Sequence, residues 1–82
     1  MAAVRVRLFA AAREAAGCSE ATFQAVTLGE LLAATEQSYG PSFAVVLRNA
    51  RVWVNGDEPR AGDASVLADG DEVAVLPPVS GG

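Results

Sequence analysis

Residues 69 to 82 read Asp69-Gly70-Asp71-Glu72-Val73-Ala74-Val75-Leu76-Pro77-Pro78-Val79-Ser80-Gly81-Gly82. Asp69-Gly70 marks a tight turn, and Glu72 to Leu76 alternates as a strand does. Pro77 and Pro78 carry no amide hydrogen to give to a ladder, so the sheet stops there. The remaining six residues, fully extended, reach roughly 20 Å, far enough to enter another protein. The two prolines hold the root of this tail extended, and Gly81 and Gly82 have no side chains to obstruct a narrow channel. Two regions follow, a folded domain over 1–76 and a flexible C-terminal Gly-Gly tail over 77–82.

Upstream, Val4-Arg5-Val6-Arg7-Leu8-Phe9 alternates with a period of two, sending Val4, Val6 and Leu8 to one face and Arg5, Arg7 and Phe9 to the other. Ala10 to Ala16 is alanine-rich and closes at Gly17, a short helical turn, and Ser19 to Ala25 reads as a second strand. Thr27-Leu28-Gly29-Glu30 has the spacing of a capping box, so a helix starts at Leu28. Leu28, Leu31, Leu32 and Thr35 form its apolar stripe, and Gly40-Pro41 ends it. Phe43 to Leu47 is a short helical or irregular connector. Arg51 to Val54 is a strand leading into the Asn55-Gly56 turn, and Pro59 and Gly62 limit anything between them to a short edge strand. The order is strand, strand, helix, strand, short strand, strand. It describes an α+β fold in which a helix covers one face of a single sheet.

Composition narrows the function. The chain has 82 residues, enough for one domain, with 51% of them hydrophobic, 20% charged and a formal charge of -4. That is the balance of a soluble globular domain. There is no lysine, and the six arginines form no basic run, which disfavours nucleic-acid binding. The apolar run near the start is cut at Arg13 and Glu14, short of a signal core or a membrane span, so a cytoplasmic location is expected. Cys18 is the only cysteine and histidine is absent, so disulfides, zinc clusters and Ser-His-Asp triads lack their parts and no metal site is expected. Cys18 reads as a small packing residue, with a reactive thiol as the alternative. The acidic residues Asp57, Glu58, Asp69, Asp71 and Glu72 sit beside turn signals and read as turn-forming and solubilising.

The chemistry that remains is at the end of the chain. A terminal carboxylate has an ordinary pKa of about 3.3 to 3.7 and is an anion at neutral pH, a poor target for nucleophiles. Adenylation by ATP would supply a leaving group, and a persulfide could then leave a thiocarboxylate on Gly82. If the first and last strands are neighbours, Phe9 and Leu76 form an apolar patch on the uncovered face at the root of the tail. Trp53 either joins that patch or packs in the core, with Val52 and Val54 outward instead.

Leu8-Phe9-Ala10 with Arg13-Glu14 and Gly17, Val54-Asn55, and Asp69-Gly70-Asp71-Glu72-Val73 leading into Pro77-Pro78-Val79-Ser80-Gly81-Gly82 together resemble the ubiquitin-like β-grasp sulfur carriers. Within them the likeness is to the small-subunit family of molybdopterin synthases, and it covers nearly the whole chain. Gly56 to Ala68 departs from that pattern, being longer and more polar. The resemblance implies a β-grasp fold with a mixed sheet. It also implies that Gly82 is adenylated by a ubiquitin-activating-type adenylyltransferase using MgATP and receives sulfur from a persulfide donor or sulfurtransferase. Gly82 then enters the large subunit of molybdopterin synthase and donates sulfur to the cofactor precursor. Phe9 and Leu76 match interface positions, and Pro77, Pro78, Val79, Ser80 and Gly81 would thread the partner. No cofactor is expected on the chain itself, and it would not be catalytic alone.

Three other readings share parts of this picture. The chain could carry sulfur for another product, such as cysteine, thiamin thiazole, thiolated tRNA or a secondary metabolite. It could be a ubiquitin-like modifier joined through Gly82 to target lysines. It could be an interaction domain whose tail is inert.

Overall fold

The computed structural model describes residues 1–78. Strand β1 spans Ala2–Leu8, helix α1 Ala10–Ala16, β2 Glu20–Ala25, α2 Leu28–Tyr39, α3 Pro41–Arg48, β3 Arg51–Val54 and β4 Glu72–Leu76. The four strands form one sheet in the order β2-β1-β4-β3. β1 runs parallel to β4, and both outer pairings are antiparallel. This is the mixed sheet expected of a β-grasp, with the first and last strands adjacent at its centre.

Alternation sets the faces. Ala2, Val4, Val6 and Leu8 of β1 are buried, and the residues between them are exposed. In register with β1, Val73 faces Val6 and Val75 faces Leu8, and both valines of β4 are fully buried. Phe43 and Leu47 of α3, Leu28 and Leu31 of α2, and Ala12 of α1 close over this face. The cover is therefore three helices, with Phe43 to Leu47 taking the helical of the two forms expected for it, within Pro41–Arg48. Full burial of each valine or leucine stabilises the fold by about 1.5–3 kcal/mol relative to leaving it exposed.

The cap of α2 forms where its sequence places it: the Thr27 hydroxyl accepts from the Glu30 amide at 3.3 Å. Glu30 reaches one residue further back than a standard capping box, accepting from the Val26 amide at 3.1 Å. Thr35, fully buried within the apolar stripe, donates its hydroxyl to the Leu32 carbonyl at 2.6 Å, so this hydroxyl is not stranded in the core. Gly29 has a packing role: a β-carbon there would lie 3.1 Å from both the β-carbon and the carbonyl oxygen of Asp63. Its lack of a side chain lets the 3-10 turn Gly62–Ala64 lie against α2.

The expected short strand between β3 and β4 does not form. Asn55 and Gly56 both have positive φ, 52° and 83°, and return the chain after Val54, which pairs with Asp57 in a single bridge. Pro59 follows, without an amide hydrogen to continue a ladder, and the chain leaves the sheet edge for the side of α2. It rejoins through a polar lock. The Asn55 amide donates to the Glu72 carbonyl at 2.7 Å, and its side chain accepts from the Glu72 amide at 2.9 Å while donating to Asp71 Oδ1 at 3.0 Å. Asp71 Oδ2 accepts from the Ala68 amide at 2.8 Å. That backbone hydrogen bond, then the one from Asn55, holds the Asp71 carboxyl below its ordinary range against a small opposing effect of burial.

Replacing Asn55 with Ala removes both side-chain bonds while keeping a β-carbon at positive φ, and should cost about 1–3 kcal/mol in urea unfolding. Asn55→Gly should cost less, because it relieves φ without restoring the bonds. A carboxyl whose folded pKa is lowered contributes stability above its unfolded value and loses it as pH falls through the folded one. Asp71→Asn should accordingly flatten the acid limb of a stability profile below about pH 4.

Candidate functional site

The face of the sheet away from the helices is assembled by the odd-numbered residues of β1 and β3 and the even-numbered residues of β2 and β4. Cross-strand register arranges them in rows. Glu20, Arg7, Ala74 and Trp53 form one row, and Thr22, Arg5 and Glu72 form the next toward the opposite end. Leu76 lies opposite Arg51 at the end where the tail departs.

Phe9 completes this end, by a route that differs from the sequence expectation. It is not the last residue of β1 but the N-cap of α1, with backbone still extended at φ -122° and ψ 151°. Because the backbone stays extended, the alternation carries one residue past the strand, and the side chain emerges on the open face. The Phe9 amide donates to the Val75 carbonyl at 3.3 Å, and its own carbonyl accepts from the amides of Ala12 and Arg13. Between these anchors Ala10 adopts φ 50°, left-handed backbone that costs a residue with a β-carbon about 1–2 kcal/mol. The turn is thus held in a strained form that sets where Phe9 sits. The residue is 37% exposed, and its ring lies under the Arg7 guanidinium, 5.7 Å from the ring centroid.

Trp53 resolves in favour of the open face. Val52 and Val54 pack against the core cluster, so the residue between them projects the other way, beside Ala74. Ala74, Leu76 and Trp53 therefore lie on the β4-β3 side of this face, with Phe9 beside the end of β4. The β2-β1 side is polar: Arg5 pairs with Glu20 at 3.3 Å and Glu72 at 3.9 Å, and Arg7 with Glu72 at 3.8 Å. These half-exposed pairs are each worth about 0.2–1 kcal/mol, and their main effect is to keep that side wet.

Pro77 and Pro78 continue from Leu76 on the β4-β3 side. Val79, Ser80, Gly81 and Gly82 lie outside the described residues. The turn carboxylates serve the fold: Asp69 accepts from the Ala3 amide at 2.7 Å, in addition to the Asp71 contacts above. Among the described residues no group of three or more Cys, Asp or Glu is close enough to hold a metal ion. Cys18 packs against the core with its Sγ 3.5 Å from Tyr39 Oη. Tyr39 is itself lodged between the rings of Phe23 and Phe43. Burial, then the hydrogen bond and electrostatic effect of Cys18, push its hydroxyl up to about 12. No described helix is long and apolar enough to cross a membrane. The sequence reading did not single out Arg51, which stands next to Leu76. The signal that could have placed it is the Val52 and Val54 pair, matching Val73 and Val75 as the buried set of an adjacent strand.

Comparison with known proteins gives a consistent picture. The model of the ThiS family matches residues 6–82. The molybdopterin synthase sulfur carrier subunit of Chlamydomonas reinhardtii is 37% identical, over 96% of this chain and 98% of the relative. The solution structure of small archaeal modifier protein 1 from Methanosarcina acetivorans superposes with a TM-score of 0.88 at 33% identity, covering 100% of this chain and 98% of that one. A complex of subunits 1 and 2 of the molybdopterin-converting factor of Helicobacter pylori contains a chain matching at TM-score 0.75 and 28% identity. The match covers 98% of this chain and 99% of that one.

Tyr39 is the only tyrosine, so absorbance at alkaline pH reports it alone. Its midpoint should fall near 12, and Cys18→Ala should lower it without bringing it to the ordinary 10, because burial is the largest cause. A raised folded pKa gives stability that is full below the unfolded value and is lost as pH rises through the folded one, so unfolding should become easier between about pH 10 and 12.

Proposed function

The chain belongs to the ThiS family, and from that membership we propose that it is a sulfur carrier whose working group is the C-terminal carboxylate of Gly82, serving as the small subunit of a molybdopterin synthase. The observation that carries the reading is where β4 ends. Its last residue, Leu76, stands on the apolar side of the open sheet face, so the six residues that follow start where a partner would seat. Docking then holds the body while the side-chain-free end enters the partner's active site. Positioning of this kind converts an encounter between two molecules into an effectively intramolecular reaction.

The chemistry balances in three steps. A ubiquitin-activating-type adenylyltransferase joins the Gly82 carboxylate to AMP from MgATP, releasing pyrophosphate. The terminal sulfur of a persulfide donor attacks the acyl carbon and expels AMP, leaving the carrier joined to the donor through a sulfur-sulfur bond. A second thiol then attacks the donor's sulfur. It forms a disulfide with the donor and releases the thiocarboxylate on Gly82, which is the nucleophile delivered to the precursor in the large subunit. Charge on the released thiocarboxylate needs no group of the folded domain, consistent with a body whose carboxylates serve its turns and ion pairs.

Likeness to a small archaeal modifier protein favours a second use of the same activated end, amide attachment to target lysines. The chain has no lysine, so it would attach to other proteins as single copies without extending chains on itself.

Intact-mass analysis after incubation with the activating enzyme, MgATP and a persulfide donor should show one oxygen replaced by sulfur. Deleting Gly82 should abolish that change while leaving the circular dichroism spectrum and unfolding midpoint unaltered. A truncated chain that still supports dithiolene formation would overturn the carrier reading. Lysine-linked adducts in cells, without any thiocarboxylate, would favour the modifier.

A further inference from the structure

We propose that Arg51 and Trp53 extend the docking face past Phe9 and Leu76 and select the partner, which must present an apolar contact to the indole and a carboxylate to the guanidinium. The inference rests on the sulfur-carrier reading and names the chemistry of the protein surface that takes up the tail, here the ATP-dependent activating enzyme.

Three observations carry it. The first is placement: Arg51 is in register with Leu76, and Trp53 with Ala74, so both belong to the open face and stand at the root of the tail. The second is charge. Arg5 and Arg7, the other two cations of this face, are each within ion-pair distance of Glu20 or Glu72, whereas no carboxylate among the described residues pairs with Arg51. In a chain of net charge -4, this unpaired cation beside an apolar patch is suited to a partner's anion. Glu58, just past the Asn55-Gly56 return, makes no ion pair with it.

The third is shape. Beyond Trp53, on the outer side of β3, lies a groove of about 320 Å³ whose walls include Ala50, Val52, Trp53, Glu58 and Pro59. It exists because Pro59 stops the return strand after one bridge, leaving the edge of β3 uncovered past Val54. Trp53 is half-buried and lines this groove, so a partner side chain seated there would meet the indole. A large aromatic with a pocket beside it and a charged neighbour is the composition of an interface anchor.

Trp53 is the only tryptophan, so 5-fluorotryptophan labelling gives one fluorine resonance for the docking face. Adding the cognate activating enzyme to the labelled full chain should shift that resonance. In the charging reaction, Trp53→Ala and Arg51→Glu should each raise the KM for the carrier roughly tenfold while changing kcat less than about twofold. Raising the salt concentration should increase the KM of the unaltered chain more steeply than that of Arg51→Gln. Unchanged unfolding midpoints would show that the variants fold.

If the unaltered chain is charged with sulfur but both variants keep its KM, or its fluorine resonance stays put at saturating enzyme, the extension is wrong and the carrier reading stands. If the unaltered chain forms neither adenylate nor thiocarboxylate, both fall together.

Discussion

The parallel pairing of β1 with β4 is the constraint on which the rest depends. It sets four fully buried valines, Val4, Val6, Val73 and Val75, at the centre of the sheet under the helices. By the same register it sets Phe9 next to the end of β4 on the opposite face. A slip of one residue would turn Arg5 and Arg7 into the core and expose the valines, exchanging a dry face for two uncompensated charges. Both faces therefore enforce one register, and the site is a by-product of the core.

The open face is divided across its strands. Toward β2 and β1, Arg5, Arg7, Glu20 and Glu72 form cross-strand ion pairs, and toward β4 and β3 lie Ala74, Leu76 and Trp53, with Phe9 beside the end of β4. An apolar sheet face left wholly uncovered would invite indiscriminate association. The cross-strand ion pairs break that face up and keep its apolar part small. The edge strand β3 is covered at Val54 by the Asn55-Gly56 return, and Pro59 then turns the chain away so that the rest of that edge stays open.

Several elements were legible because their signals are local. Thr27 and Glu30 cap α2, Gly40-Pro41 ends it, and Arg51 to Val54 runs into Asn55-Gly56 where turn chemistry places it. Other segments stayed open for local reasons too. Pro41 is as acceptable at the first position of a new helix as it is disruptive inside one, so the sequence left both a short helix and an irregular connector open after it. The short strand between Pro59 and Gly62 does not form because Pro59 has no amide hydrogen for a ladder, and the chain instead packs its 3-10 turn against Gly29 of α2, a contact between residues distant in sequence. Trp53 was ambiguous because alternation gives two faces without saying which one the helices cover.

The sequence by itself determined the type and order of most elements, the stop at Pro77-Pro78 and the side-chain-free end, since each depends on residues within a few positions of one another. The tertiary structure alone decided that Trp53 and Arg51 join Phe9 and Leu76, that Arg51 is left without a carboxylate among the described residues, and that a groove opens beside the indole. These follow from strand register and from a loop folding back on α2. The free energy that selects them comes from burying one face of the whole sheet, which no single stretch of chain encodes.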